Sequence, residues 1–62
     1  METTEIYNNC ITELDSDFIR SSAKKDNESP LGFLLTYLKD NYSLTKIEGY
    51  PIAEKIITHF NL

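Results

Sequence analysis

A Ser-Pro pair followed by leucines at helical spacing constrains the architecture of this chain more than any other feature. From Ser29-Pro30, the residues Leu31, Leu34, Leu35, Leu38 and Tyr42 recur three and four apart, the period of one face of an α-helix. Ser29 offers a side-chain oxygen to the free N–H groups of a helix start. Pro30 suits the first helical position, where its missing N–H is no loss. The spacing predicts a helix over 30–41. Phe33 and Tyr37, also four apart, fall on roughly the opposite side at about 100° per residue. The leucine stripe packs into the domain; the aromatic pair either meets a partner or forms core against the first helix.

Three further segments carry the same period. The first is expected over 4–14, with Thr3 or Thr4 as N-cap and Glu5 in the first turn, where the helix dipole favours an anion. Its apolar stripe is Ile6, Tyr7, Cys10, Ile11 and Leu14. The cluster Asp15-Ser16-Asp17 supplies capping oxygens for a second helix over 17–25, with Phe18, Ile19, Ser22 and Ala23 inward. Lys24 and Lys25 sit at its C-terminal end, where positive charge suits the dipole. Ser43 is expected to cap a short turn through Leu44 and Ile47. Gly49 then breaks the chain and Pro51 opens a fourth helix over 51–60, lined by Ile52, Ala53, Ile56, Ile57 and Phe60. No strand alternation of useful length occurs. The expected fold is all-α, one domain spanning 1–62, a compact bundle of four short helices joined by short connections and packed at steep angles.

Size and charge narrow the function classes. A chain of 62 residues buries only about 60% of its unfolded surface, so its core is small. Cys10 is the single cysteine, which excludes an internal disulfide and suits a reducing compartment. No apolar run approaches the roughly 20 residues of a membrane span. The start Met1-Glu2-Thr3-Thr4-Glu5 is acidic where a secretory signal is basic. These features predict a cytoplasmic protein with no membrane association. Net charge is −4, and residues 1–17 carry Glu2, Glu5, Glu13, Asp15 and Asp17 with no Lys or Arg. That third of the chain is either a solvated helix surface or a face set against a basic partner.

Phe18 opens one helical segment, a polar loop follows, Ser29-Pro30-Leu31-Gly32 with Leu34 opens the next, and Ile52 to Phe60 fill a later one. In that order and approximate spacing, Phe18–Phe60 resembles the YozE-like family of small bacterial domains with a sterile-alpha-motif-like helical fold. The chain departs from that pattern at Phe33, where an acidic residue is usual. It departs again at Leu44-Thr45, about where a Phe-Pro pair is expected. The segment 4–14 lies outside the match. The resemblance implies a helical binding module and no established activity.

The residues themselves offer little chemistry. An acid–base or nucleophilic site needs several converging polar groups, and this chain has one His, one Cys and no Gly-rich phosphate loop. His59 reads as a surface or edge histidine, and Cys10, inside an apolar stripe, as a buried structural thiol. Asp15-Ser16-Asp17 and Asp26-Asn27-Glu28 do not extend into a calcium loop. No enzyme activity and no cofactor are expected. Direct nucleic-acid binding is disfavoured, because the sequence pI is about 4.7 and Pro51-Ile52-Ala53-Glu54 lacks recognition-helix chemistry. The expected function is protein binding by an accessory or inhibitory protein of bacterial or mobile-element origin. Phe33 and Tyr37 are its candidate anchors, and Glu2, Glu5, Glu13, Asp15 and Asp17 steer a basic partner surface. The alternative is a nucleic-acid-binding module or small subunit of a DNA replication or regulatory complex. A homodimer that hides the aromatics is a third arrangement.

Overall fold

In the computed structural model, which describes residues 2–62, four helices follow one another in the order α1 (Thr3–Glu13), α2 (Ser16–Lys25), α3 (Pro30–Tyr42) and α4 (Lys46–Phe60). No strand occurs among the described residues, and the fold is an all-α four-helix bundle. Among the described residues, no helix is long and apolar enough to cross a membrane.

Each start has a local cause. At α2, Asp15 in extended backbone accepts the N–H of Phe18 at 2.8 Å. At α3, the Ser29 hydroxyl accepts the N–H of Gly32 at 3.1 Å, with Pro30 at the first helical position. The expected threonine cap of α1 is absent. The helix begins at Thr3, one residue earlier, and Glu2 is the cap residue without a side-chain bond. The amide of Ile6 already donates to the Glu2 carbonyl at 3.0 Å, so the ladder runs through both threonines and leaves them inside the helix. Glu5 does lie in the first turn.

The largest correction is α4, which begins at Lys46 and not at Pro51. Thr45 and Glu48 form a capping box. The Thr45 hydroxyl accepts the Glu48 N–H at 3.2 Å, and the Glu48 carboxylate accepts the Thr45 N–H at 2.9 Å. Two otherwise orphaned donors are thereby satisfied, which outweighs the entropic cost of Gly49 in the second turn. These bonds also hold the Glu48 carboxyl below its usual range, the Thr45 backbone N–H first among them. Pro51 gives up one bond, to the carbonyl of Ile47 four residues back. Ile47 is 86% exposed, so that first turn is open to water. The expected turn capped by Ser43 does not form, because Thr45 takes that role. Ser43 instead adopts a left-handed conformation that closes α3, as Asn27 and Asn61 do after α2 and α4.

The core gathers residues from every helix: Ile6, Cys10 and Leu14 from the α1 side, Ile19 from α2, Leu34 and Leu38 from α3, and Ile52, Ala53 and Ile56 from α4. Contacts run α1 to α4, α4 to α3 and α3 to α2, so α3 is packed from two sides. Arg20 of α2 reaches the Asn61 carbonyl at the end of α4 at 3.2 Å. Phe18 was expected inward with Ile19, yet it is 51% exposed. Ile19 and Ala23, four apart, take the buried line of α2, and Phe18 is rotated about 100° from it.

Gly49 is buried where α4 crosses α3, and a Cβ there would meet Leu38 Cδ1 at 3.4 Å and Leu35 Cδ2 at 3.7 Å. These are ordinary contact distances with no room beyond them. Gly49→Ala should therefore raise stability by about 0.5–1 kcal/mol through helix propensity. Gly49→Val should lower it by about 1–3 kcal/mol through overpacking. Urea unfolding followed by circular dichroism checks both signs.

Candidate functional site

The helix periods bring four aromatic rings to one edge of the core. Phe33 and Tyr37 share a flank of α3, with ring centroids 6.2 Å apart. The start of α2 delivers Phe18 against Phe33, edge to face at 6.0 Å and 74°. Tyr42, five residues past Tyr37, lies farther round α3. Phe33, Tyr37 and Tyr42 pack against the core and are each half-buried. The pair on α3 is thus both things the spacing allowed, an inner side on the core and an outer side open to solvent. Phe18 gives the row its most exposed ring.

Glu13, the last residue of α1, joins this row. One of its carboxylate oxygens accepts the hydroxyl of Tyr37 at 2.8 Å and that of Tyr42 at 3.1 Å. Burial, followed by this hydrogen bond, raises the hydroxyl of Tyr37 well above the usual tyrosine range, and the same causes in the same order raise Tyr42. Burial pushes the Cys10 thiol up to about 11, with the Glu13 charge adding to it. All three groups are held neutral at physiological pH, so Cys10 is no thiolate nucleophile there.

The acidic residues divide into two sets. Glu13, Asp15 and Asp17 cluster at the junction of α1 and α2, beside the aromatic row. Asp15 is occupied by capping, and Asp17 stands in the first turn of α2. Glu2 and Glu5 lie toward the opposite end of α1, Glu5 about 12 Å along its axis from Glu13 at 1.5 Å per residue and Glu2 farther still. All five are exposed. Salt screens charge over about 8 Å, so the nearer three are the ones whose field reaches the aromatic row most strongly. Phe18 is not expected on this face from the sequence. Tyr42 belongs to the stripe of α3 and is a candidate addition to the aromatic surface, and its hydroxyl needs a partner when its ring is drawn into a core.

His59 is exposed and meets the rings of Tyr7 and Phe60 edge-on. Among the described residues, no three His, Cys, Asp or Glu side chains are grouped so as to hold a metal ion. Compared with protein-family models, curated proteins and solved structures, the chain matches none.

Two measurements follow from this geometry. Because the folded state raises Tyr37 and Tyr42 above the unfolded value near 10, their stabilisation is complete below that pH and declines as pH rises past it. Stability by urea unfolding should therefore fall on going from pH 8 to about pH 11, and the Tyr37→Phe variant should fall less steeply. Native Cys10, with no solvent exposure, should react with a thiol reagent at neutral pH only through unfolded molecules. Its labelling rate should rise steeply through the urea transition, reaching the rate of a free thiol once the chain is unfolded.

Proposed function

We propose that this chain is a small protein-binding module, a cytoplasmic accessory or inhibitory protein of bacterial or mobile-element origin that engages a basic partner surface. The observation that carries the reading is the half-open row Phe18–Phe33–Tyr37 beside Glu13, Asp15 and Asp17. Aromatic rings on rigid helices supply large contact area with little side-chain entropy to lose, which is why such groups dominate interface energetics. Acidic residues at the margin of the same patch raise the encounter rate with a positively charged partner. Tyr37 is already oriented by Glu13, so this part of the surface is organised before binding.

The site's ionisable groups support binding over catalysis. Cys10, Tyr37 and Tyr42 are all shifted away from neutrality, whereas acid–base and nucleophilic groups work best with pKa values near the operating pH. The resemblance to YozE-like domains supports the same class. Its Ser29-Pro30-Leu31-Gly32 signature is the capped start of the helix that holds Phe33 and Tyr37.

Affinity capture from the native host, with mass spectrometry, tests the reading. The wild type should retain a basic protein in a salt-sensitive complex. The Phe18→Ala/Phe33→Ala double variant should weaken capture by about a hundredfold, two anchors at roughly tenfold each. Its helical circular dichroism should be retained, and Tyr37→Phe should bind nearly as well as wild type. Undiminished capture by the double variant would overturn the proposal, as would a salt-dependent shift of labelled DNA by the purified chain.

A further inference from the structure

The other flank of α3 is also incompletely covered. A groove runs beside Leu31 and Leu35 and on past Leu44 in the α3–α4 connection to Tyr50 of α4, which is 43% exposed. Lys39 and Lys46 line the end of this groove nearest Leu44. Glu28 lies at the other end, about two helical turns away along α3. In a chain of net charge −4, this is an apolar channel with two lysines at one end, where the Glu48 carboxylate is engaged by the Thr45 N–H at 2.9 Å.

Two residues at that end break local rules without helping the monomer. Lys46 occupies the first position of α4, where the positive end of the helix dipole opposes a cation. Ile47, next to it and one turn before Tyr50, is the most exposed large hydrophobic side chain among the described residues. Neither placement stabilises α4, and such unexplained departures concentrate at functional sites.

We infer that this groove is the docking site for an acidic amphipathic helix of another protein. Apolar anchors of the incoming helix lie along Leu31, Leu35, Leu44 and Tyr50, Ile47 closes over them, and Asp or Glu residues beside the anchors meet Lys39 and Lys46. A second copy of this chain is the poorer occupant. The one helix with acidic and no basic residues, α1, spends its buried apolar residues Ile6 and Cys10 on its own core. Away from the groove, its open apolar surface is the row Phe18–Phe33–Tyr37, drawn from two helices, where a docking helix offers its anchors along one. Helix-in-groove recognition uses anchors spaced three and four apart, and the length between Leu31 and Lys39 matches about two turns of such a ligand.

The test titrates the full chain into a fluorescent synthetic helix of about fourteen residues with leucines at i, i+3, i+4 and i+7 and glutamates flanking them. A peptide of the same spacing with lysines for the glutamates is the control. Saturable binding of the acidic peptide should exceed that of the basic one by at least roughly tenfold, and should weaken as salt rises. Ile47→Glu and the pair Lys39→Glu/Lys46→Glu should each reduce it roughly tenfold or more, with unchanged circular dichroism and a melting temperature no lower than that of the wild type. Amide shifts on binding should centre on Leu31, Leu35, Leu44 and Ile47. Several outcomes would each overturn the inference. Among them are no binding of the acidic peptide, equal binding of both peptides, and binding indifferent to these substitutions. Uptake by phosphatidylserine vesicles in place of peptide, or concentration-dependent dimerisation abolished by Ile47→Glu, would do the same.

Discussion

The close approach of α3 and α4 at Leu38 and Gly49 is the contact around which the molecule is arranged. A short chain has few large aliphatic residues, so those it has must be completely enclosed. With no side chain at Gly49, the two helices come near enough for Leu34 and Leu38 to be fully buried against Ile52, Ala53 and Ile56. Helix α1 then closes on α4, and α2 closes on α3. The central helix is packed chiefly along two lines, against α4 and α2, with Glu13 of α1 tied to it through Tyr37 and Tyr42. Its remaining flanks, Phe33 with Tyr37 on one and Leu31 with Leu35 on the other, stay half-open. The surfaces available for recognition are a consequence of how few elements the core could recruit.

What could be read from the sequence follows the range of the interactions involved. The third helix was legible because its start, its stripe and its cap are all local: Ser29 bonds Gly32 three residues on, and Leu34 and Leu38 repeat within one helix. The fourth was misplaced because two local signals conflict. Gly49 and Pro51 read as breakers, while Thr45-Lys46-Ile47-Glu48 is a capping box, and reciprocal hydrogen bonds at the helix start decide against an entropic penalty inside it. Phe18 and Ile19 are neighbours in an apolar patch, and helical period alone does not say which of two adjacent residues holds the centre of the buried line. The bonds from Tyr37 and Tyr42 to Glu13 span 24 and 29 residues, a pairing that only the packed helices create. The candidate site was therefore half legible: Phe33 and Tyr37 share a flank of α3 and Glu13 is one of five named acidic residues, but the Phe18 ring and the tyrosine bonds to Glu13 arise only from packing between helices.

Glu13 changes meaning once that pairing is known. As one of five acidic residues near the N-terminus it contributes long-range charge. In the structure it also ties α1 to α3 through two tyrosine hydroxyls, and its charge helps keep Cys10 and both tyrosines protonated. A carboxylate that orients the ring beside it serves the interior and the proposed recognition surface together. Glu2 and Glu5 have no such second role, because the rise of α1 carries them beyond effective screening distance from the aromatic row.

The two open flanks of α3 also share a thermodynamic consequence. A partner that binds only the folded chain stabilises it by mass action, by about 2.7 kcal/mol when present at a hundred times its dissociation constant. For a domain whose core is this small, that gain is a substantial fraction of the total stability. Both proposed sites lie on α3, so a ligand that orders this helix at one of them would leave less conformational freedom to be lost by a ligand at the other. Positive coupling between the sites then requires no change of shape, only that α3 be the element whose order both ligands need.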